Sequence, residues 1–270
     1  MINPLAFCAL LLYNRYQISM GGVLDLAEVI CILSGKGGTG KTALCAGIAT
    51  ILATSGKKVL CIDADVGLRN LDIFLGLDGV DTLSFQDVCS GNYTLAFATN
   101  HPLYPSLSFL TAPVSGTAED IDEMGFGEML QKAKQQFDFV LIDAPSGIGH
   151  GMKLCARFAD RCILTTLPDP ASLRCANRTG QELEIMGANN VRMVVNRIFP
   201  DMMKAMNMNI DDMMDAAGLP LLGVVPSDPN ISFAAAKNVP LIKYSRFGAS
   251  AAYRRIAKRI VGMTVPISTR

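Results

Sequence analysis

The sequence has 270 residues, half of them hydrophobic, with 24 basic and 24 acidic residues and a formal net charge of zero. This length and apolar content suit one large α/β domain with a substantial core, and no repeat or low-complexity segment divides the chain. Its eight cysteines form no Cys-x-x-Cys pair and no spacing with histidine that is typical of a metal site. They therefore indicate buried thiols in a reducing compartment rather than a disulfide framework.

Residues 1–27 are expected to form an N-terminal extension that is disordered or absent from the natural chain. Residues 5–13 are apolar, but they are fewer than the roughly 20 residues that a spanning helix needs, and they lack the flanking residues of a signal peptide. We expect Met20 to be the natural start, because the first predicted strand begins shortly after it. The alternative interpretation of residues 5–13 is a short hydrophobic anchor.

The first predicted strand, loop and helix carry a phosphate-binding pattern. Residues 29–34 are apolar and β-branched, as is typical of a buried parallel strand, and residues 43–53 are helix formers that end before Ser55 and Gly56. Between them, residues 35–42 read Gly-Lys-Gly-Gly-Thr-Gly-Lys-Thr and match the P-loop pattern G-x-x-x-x-G-K-S/T at every fixed position. The sequence therefore predicts a site for a nucleoside triphosphate at the start of this helix.

The chemistry of a triphosphate explains each part of this loop. Glycines let successive N–H groups point inward as a nest for an anion, and the helix that starts near Thr42 adds the positive end of its dipole. Lys41 is expected to reach the β- and γ-phosphates, and the hydroxyl of Thr42 is expected to hold Mg²⁺. A glycine-rich turn without a ligand is the alternative, which the full match in this context disfavours.

Aspartates end or follow two further predicted strands, over residues 58–63 and 139–143. Because the carboxyl ends of parallel strands meet at the ligand-binding edge of an open α/β sheet, Asp63 and Asp65 are expected near the P-loop. Asp143 ends the apolar run Phe-Val-Leu-Ile-Asp, which is the Walker B pattern, and would hold Mg²⁺ through a bound water. Mg²⁺ is therefore the expected metal at this edge of the sheet.

The remaining predicted elements alternate between strands and helices. In chain order they are short helices over 83–97 broken at Gly91, a loop over 101–105, a strand over 107–110, an amphipathic helix over 124–136, a strand over 161–166, a helix over 169–186, a strand over 191–196, a methionine-rich amphipathic segment over 202–214, a strand over 221–225 and a basic helix over 249–261. This alternation predicts an α/β fold: one doubly wound, mostly parallel sheet flanked by helices on both faces. The domain is expected over residues 28–262, with a tail over 263–270.

One residue of the loop, Lys36, is a second lysine where the generic P-loop pattern leaves the residue free. The string Gly-Lys-Gly-Gly-x-Gly-Lys-Thr is similar to the deviant Walker A signature of the ParA/MinD family of P-loop ATPases, and the resemblance covers roughly residues 28–262. It implies ATP and Mg²⁺ as ligands and a homodimer that encloses the nucleotide, in which Lys36 reaches the partner's phosphates. A solvated loop charge is the alternative for Lys36. The phosphate contacts that the resemblance implies are Gly35, Lys36, Gly37, Gly38, Thr39, Gly40, Lys41, Thr42 and Ala43.

Residues 63–72, Asp-Ala-Asp-Val-Gly-Leu-Arg-Asn-Leu-Asp, are similar to the switch I segment of the septum-placing branch of this family. By that resemblance Asp65 orients the attacking water and lies near Mg²⁺, alongside the metal ligands Thr42 and Asp143. Asp72 is interpreted instead as a charge at a helix N-terminus. The catalytic groups that the resemblance implies are Lys36, Lys41 and Asp65.

Two more segments resemble parts of the family that contact the nucleotide. Residues 144–149 are similar to switch II, with Pro145 and Gly147 placed to sense the γ-phosphate. The family holds adenine at two strand ends, for which two ordinary turns are the alternative. An asparagine side chain can both donate to and accept from an adenine edge. The residues at these two strand ends are Asn196, Arg197, Pro226, Ser227 and Asp228.

The chain departs from the family pattern at three positions. Ala43 stands where the family commonly has a threonine that touches phosphate, so ATP binding is expected to be weakened rather than lost, because the backbone N–H of Ala43 remains. Cys175 and Asn177 stand where the family usually carries aspartates on an interface helix, although Arg174 and Arg178 are retained. These changes concern dimer contacts and the choice of protein partner.

Charge is divided unevenly along the chain. Eight of the 24 basic residues and none of the 24 acidic residues follow Asp228. This suggests an anionic partner, and an anionic membrane is favoured over nucleic acid. The alternative for the helix over 249–261 is a terminal helix packed on the domain with a solvated basic face. The basic face of this helix consists of Arg254, Arg255, Lys258 and Arg259.

The resemblance implies a slow, partner-stimulated ATPase whose ATP-bound form is a homodimer and which regulates the place of cell division at the septum. It implies a cytoplasmic protein that is weakly peripheral on the inner face of the membrane, with ATP or ADP and an activating protein as partners. Two related alternatives are segregation of DNA or plasmids in the manner of ParA and placement of flagella. A nucleotide-gated binding scaffold with little turnover is an alternative of another class.

Overall fold

The computed structural model describes residues 26–188 and 190–268, so residues 1–25 of the expected extension lie outside the described residues. The described strands are Glu28–Leu33 (β1), Val59–Asp63 (β2), Thr99–His101 (β3), Tyr104–Leu110 (β4), Phe139–Asp143 (β5), Arg161–Thr166 (β6), Val191–Ile198 (β7) and Leu221–Pro226 (β8). They form one eight-stranded sheet in the order β3-β4-β2-β5-β1-β6-β7-β8. Strands β3 and β4 pair antiparallel and the other neighbours pair in parallel, which confirms the predicted doubly wound sheet.

Helices cover both faces of this sheet. They are Lys41–Thr54 (α1), Leu71–Leu75 (α2), Phe85–Cys89 (α3), Glu123–Lys134 (α4), His150–Arg157 (α5), Pro170–Ile185 (α6), Pro200–Ala205 (α7), Ile210–Ala217 (α8), Asn230–Ala236 (α9), Leu241–Tyr244 (α10) and Ala249–Ile260 (α11). Asp72 lies in the first turn of α2, as its interpretation as a helix N-terminal charge requires. Met213 of the methionine-rich segment is buried in the core, which confirms an amphipathic segment packed on the domain.

Strand β1 lies in the middle of the sheet and is buried on both faces. Ile30 and Ile32 face the core that contains α1 and α11, while Cys31 and Leu33 face the core that contains α4 and α6. Strands covered on both faces are nearly continuous apolar runs, which explains why the pattern predicts β1, β2 and β5 to within a residue. Because these strands run in parallel, their carboxyl ends deliver the P-loop and two aspartates to one edge of the sheet.

The predicted loop over residues 101–105 is wrong at both ends, because the antiparallel strands β3 and β4 leave only residues 102 and 103 between them. The polar run Thr-Asn-His shows no apolar alternation, so the sequence did not reveal this edge strand. His101 is buried, with Nε2 at 2.8 Å from the carbonyl of Leu75 and Nδ1 accepting the N–H of Leu103 at 3.0 Å. The ring therefore serves as a neutral donor and acceptor between backbone groups.

We expect His101 to make the protein less stable as the pH falls below about 6.5. Burial lowers the pKa of His101, an effect that the carbonyl of Leu75 only partly offsets. Between about pH 6.5 and the lower pKa of the folded state, the unfolded chain binds a proton that the folded chain does not. Stability that is present above pH 6.5 is therefore lost as the pH falls towards the pKa of the folded state. Urea unfolding of wild type and His101→Gln at pH 7.5 and 5.5 measures the difference in pH dependence.

His150, the other histidine of the chain, provides the matched control. It is half-buried at the start of α5, with Nε2 at 3.5 Å from a carboxylate oxygen of Glu123. His150→Gln should retain the loss of stability that His101→Gln removes. The interpretation is contradicted if His150→Gln removes the loss of stability at low pH and His101→Gln retains it.

The last helix, α11, packs on the domain rather than standing free. Tyr253 lies so close to α1 that a side-chain carbon added at Gly47 would sit 2.2 Å from its ring. On the basic face, the guanidinium of Arg259 donates to the carbonyls of Leu222 at 2.8 Å, Val265 at 2.9 Å and Pro266 at 2.7 Å. The helix therefore packs on the domain as the alternative describes, but Arg259 is engaged within the chain rather than solvated.

Within residues 26–188 and 190–268, no helix combines the length and the apolar character required to cross a membrane.

Candidate nucleotide site

A cleft of about 660 Å³ opens at the carboxyl edge of the sheet. It joins the P-loop, the two switch-like segments and the end of β7, so the structure brings together most of the predicted site. The predicted residues in its lining are Gly37, Gly38, Thr39, Gly40, Lys41, Thr42, Ala43, Asp65, Pro145, Asn196 and Arg197.

The P-loop has the backbone conformation that an anion requires. Gly38 and Gly40 have φ angles of 78° and 85°, in the left-handed region that favours glycine. Because Gly40 is the N-cap of α1 and has no side chain, the N–H groups of the first turn have no side-chain cap there and remain for a ligand. A side-chain carbon at Gly40 would also lie 2.3 Å from Nδ2 of Asn196. These features fit a phosphate group at the start of α1.

Lys41 and Asp143 form a buried ion pair at the floor of the cleft, with Nζ 2.6 Å from Oδ1 and exposed fractions of 4% and 1%. Burial alone would lower the pKa of Lys41, but the carboxylate of Asp143 outweighs it and holds that pKa above its ordinary value. Burial raises the pKa of Asp143, and Lys41 and the hydroxyl of Thr42 oppose that rise. The Walker A lysine, the Walker B aspartate and Thr42 therefore meet at one point.

Two more carboxyl groups lie close to this pair. Burial and then the charge of Asp143 raise the pKa of Asp63 to about 7. Burial also raises the pKa of Asp65, and Asp143 adds to that rise against the effect of Lys41. Asp63 accepts the N–H groups of Asp65 and Leu71, each at 3.0 Å, so it holds both ends of the predicted switch I segment. The sequence predicts that Asp63 lies near the P-loop but does not indicate that it accepts these two N–H groups.

Mg²⁺ fits this group of oxygens. Carboxylates that repel one another in a buried site are stabilised by a cation, and hard cations prefer oxygen ligands. Among the described residues no three His, Cys, Asp or Glu side chains converge to hold a metal by themselves. Mg²⁺ is typically held by one or two carboxylates together with substrate phosphates and waters. Thr42, Asp65 and Asp143 are the candidate ligands on this chain.

Lys36 lies outside the cleft that the described residues line. Its side chain is exposed, in contrast to the buried Lys41 of the same loop. Gly35 before it crosses α6 so closely that an added side-chain carbon would sit 2.3 Å from Oγ1 of Thr179. The two lysines of the loop thus point to different environments. Lys41 lines the cleft of its own chain, and Lys36 does not.

The two strand ends predicted for adenine differ in how far they reach the cleft. Asn196 lines it, yet its amide is already engaged, donating to the carbonyl of Thr39 at 2.7 Å and accepting the N–H of Arg197 at 2.9 Å. At the end of β8, the carboxylate of Asp228 accepts the first N–H groups of two helices, from Asn230 and Ala249. Asp228 therefore ties α9 and α11 together, a role that the sequence did not indicate.

Several cleft residues were missed from the sequence. Ile73 and Phe74 come from α2, which follows the switch I segment, while Ile231 and Ser232 come from α9, directly after the end of β8. Apolar side chains next to a phosphate site suit the flat face of a base. The available signal was position, because each pair follows a strand end that was already assigned to the ligand edge.

Comparison with known proteins decides the family. The model of the CobQ/CobB/MinD/ParA nucleotide binding domain matches residues 30–241. The chain belongs to this family. It is 36% identical to the septum site-determining protein MinD of Bacillus subtilis over 248 residues, which cover 90% of this chain and 92% of that protein. It is 33% identical to the MinD protein of Synechocystis over 88% of this chain and 91% of that one.

Solved structures agree with this assignment. MinD in a MinC:MinD cell division complex from Aquifex aeolicus superposes with a TM-score of 0.83 at 34% identity, covering 90% of this chain and 98% of that one. MinD complexed with Mg-ADP from Pyrococcus horikoshii gives 0.77 at 27% identity, covering 88% and 97%. A ParA family ATPase from Chlorobium tepidum shares the fold at 17% identity. The chain is thus a MinD-like ATPase of the septum-placing type, and ATP with Mg²⁺ is its ligand.

Proposed function

We propose that this chain binds ATP at the Lys41–Asp143 floor of the cleft, dimerises with it, and hydrolyses it slowly so that turnover times the dimer. The observation that carries the proposal is the contrast between the two lysines of one loop. Lys41 is buried against Asp143, and Lys36 is exposed outside the same cleft. One phosphate cradle explains the first lysine and leaves the second without a role in its own chain.

Phosphoryl transfer depends on positioning and on neutralising charge more than on covalent chemistry by the protein. The N–H groups of residues 37–42 and the N-terminus of α1 hold the phosphate oxygens, and Lys41 adds a positive charge at the β- and γ-phosphates. Thr42 and Asp143 hold Mg²⁺, which when bound neutralises charge on the phosphate oxygens. Asp65, at the rim of the cleft, orients the attacking water. Pro145 and Gly147 are the residues of switch II that sense the γ-phosphate.

Lys36 completes the site of a second copy. A cation that enters from a partner stabilises charge that develops during transfer, as an arginine finger does, and such a group is worth roughly 10³–10⁵ in rate. In a two-fold dimer each chain would give Lys36 to the other. Hydrolysis then requires the dimer, and loss of the γ-phosphate weakens it.

We propose that the base of ATP lies between the end of β7 and the start of α9. Asn196 and Arg197 line this part of the cleft, and Ile231 and Ser232 close it from the other side. Because the amide of Asn196 is bonded to Thr39 and Arg197, we expect the adenine contacts at this end of β7 to come from backbone groups. Pro226, Ser227 and Asp228 would contribute by holding the start of α9 in place.

We propose two partners for this chain. The Aquifex relative was solved in a complex of MinC with MinD, so we propose an effector protein that recognises the dimer. The second partner is the membrane. We propose that this chain is cytoplasmic and binds weakly and peripherally to the anionic inner face of the membrane. The observation that supports membrane binding is the excess of basic residues after Asp228.

ATP turnover measured alone, with anionic liposomes and with duplex DNA tests the function as a whole. Light scattering with ATP and with ADP reports the dimer in parallel. Slow turnover that rises with protein concentration and with liposomes supports the proposal. Stimulation by DNA alone would replace it with segregation, and tight ATP binding without turnover would replace it with a nucleotide-gated scaffold.

We expect ATP-dependent sedimentation with anionic liposomes, and Arg254→Ala/Lys258→Ala should weaken the affinity of each chain's basic face about 30-fold, because each basic residue near an anionic leaflet contributes about 1 kcal/mol. Lys258 is exposed and Arg254 is half-buried. A dimer presents two such faces, and linkage raises avidity by roughly 10²–10⁴. High salt should abolish binding.

Lys132→Ala, an exposed lysine on α4, is the matched control and should sediment as wild type does. Equal sedimentation in ATP and ADP, or none at low salt, contradicts this prediction.

A further inference from the structure

Ser34, the residue between β1 and the P-loop, bonds to two different segments of the site although it is fully buried. Its hydroxyl donates to the carbonyl of Lys36 at 3.0 Å. Its own carbonyl accepts the N–H of Gly147, in the switch II segment, at 2.8 Å. One residue therefore joins the backbone of the exposed lysine to the strand below it and to switch II beside it.

The backbone that carries Lys36 is held from two sides. On one side Gly35 crosses α6, where an added side-chain carbon would sit 2.3 Å from Oγ1 of Thr179 and 3.0 Å from the carbonyl oxygen of Cys175. On the other side stands the hydroxyl of Ser34. A turn fixed in this way sets the direction in which the side chain of Lys36 leaves the loop.

The surroundings of Lys36 show where that direction leads. Burial raises the pKa of Asp169, but hydrogen bonds from Ser172 and the charge of Lys36 outweigh it, so that pKa is lowered. Asp169 is the N-cap of α6. Lys36 is thus near enough to the start of α6 for its charge to act on Asp169, and it does not line the cleft of its own chain.

Packing alone does not account for a serine at this position. Alanine fills nearly the same volume, and burying a hydroxyl costs free energy that a hydrogen bond offsets. The Ser34 hydroxyl has a single role on the structure, its bond to the Lys36 carbonyl. The bond acts on Lys36, which does not line the cleft of its own chain.

We propose that Ser34 is a positioning residue for Lys36, with its hydroxyl fixing the turn so that the lysine enters the active site of the partner chain. The inference rests on the proposed role of Lys36 in a dimer. Its consequence is specific: loss of the Ser34 hydroxyl damages hydrolysis in the partner's site and leaves the chain's own site intact.

Ser34→Ala gives the first test. Affinity for ATP should stay within about twofold of wild type, because residues 37–42 and Asp143 are unchanged, while turnover should fall about tenfold, the effect of one hydrogen bond. Ser250→Ala is the matched control, since Ser250 is equally buried and its hydroxyl has no partner among the described residues. That variant should turn over ATP as wild type does. Equal turnover in Ser34→Ala and wild type overturns the inference.

Mixed dimers provide the readout that a purely structural role would not produce. Asp65→Ala lacks the carboxylate that orients water but can still offer Lys36, and Lys36→Ala has the opposite defect. Mixed in equal amounts, they should recover about a quarter of wild-type turnover, because half of the dimers are then mixed and each has one complete site. If this pair fails to recover, the proposed trans role of Lys36 is wrong and the inference falls with it.

Two further mixtures test Ser34 itself. Ser34→Ala with Asp65→Ala should recover about the same quarter, because the intact Lys36 of the second chain serves the complete site of the first. The double variant Ser34→Ala/Asp65→Ala with Lys36→Ala should recover about tenfold less, because the lysine it offers is misplaced. Two outcomes would show that Ser34 serves its own site: turnover of the first mixture stays low, or the double variant mixed with Lys36→Ala recovers as much turnover as Asp65→Ala mixed with Lys36→Ala. Either outcome overturns the inference while the trans role of Lys36 stands.

Discussion

Lys41→Ala should abolish ATP binding. Lys41 is the buried lysine at the floor of the cleft, and its ammonium group already lies where charge is most needed, 2.6 Å from Asp143. Hydrogen bonds between charged groups are worth about 1.5–3 kcal/mol each, and an ion pair with a triphosphate in a water-poor site adds to that. Lys36 is exposed and lies outside the cleft lining, so it cannot replace Lys41 there. Isothermal titration with ATP and Mg²⁺ should show no measurable heat of binding.

The variant must also be shown to fold, because removing Lys41 leaves Asp143 buried and unpaired. Breaking a buried ion pair in this way costs about 3–5 kcal/mol. Thermal unfolding with and without Mg-ATP separates the two effects. Wild type should gain about 2.7 kcal/mol at a ligand concentration of 100 times Kd, whereas a folded Lys41→Ala should gain nothing.

Lys57→Ala replaces an exposed lysine just beyond the far end of α1 and is the matched control. It should bind ATP and gain stability as wild type does. Unchanged ATP affinity in a folded Lys41→Ala would remove the basis for the P-loop assignment.

The parts of the site that the sequence predicts are those encoded by local pattern and by sheet topology. The P-loop lies within eight consecutive residues. Glycine at positions 38 and 40 is itself a signal for the left-handed backbone conformation found there. Asp143 is about a hundred residues away, yet an apolar run that ends in an aspartate places it correctly, because parallel strands share one ligand edge. The pairing of β1 with β5 then brings Asp143 to Lys41.

The parts that the sequence does not predict depend on contacts between distant segments. Asp228 caps both α9 and α11, and nothing near Asp228 in sequence marks the second of these helices as its partner. The absence of a side chain at Gly47 leaves room for the ring of Tyr253, which is about two hundred residues later in the chain. Arg259 is counted with a solvated basic face from its helical spacing, but the carbonyls of β8 and of the tail engage it. A pattern within one helix describes its faces and leaves open what each face contacts.

Lys36→Ala should leave ATP binding within about twofold of wild type and remove hydrolysis. The motivation is an exposed lysine that lies outside the cleft of its own chain. Loss of a charge supplied by a partner lowers the rate by roughly 10³–10⁵. The variant dimer should also be weaker with ATP, because the phosphates of each chain lose a contact with the other. Turnover and light scattering in the presence of ATP measure the two effects on one sample.

Asp65→Ala separates these effects, because it removes the group that orients water and keeps both lysines. It should dimerise with ATP as wild type does and fail to turn over, whereas Lys36→Ala should be deficient in both respects. Lys57→Ala again controls for the loss of a surface charge. If Lys36→Ala dimerises and hydrolyses ATP normally, Lys36 is a solvated loop charge. Retained turnover together with a weaker dimer would instead make Lys36 an assembly contact, and the charge that stabilises phosphoryl transfer would then come from Lys41 alone.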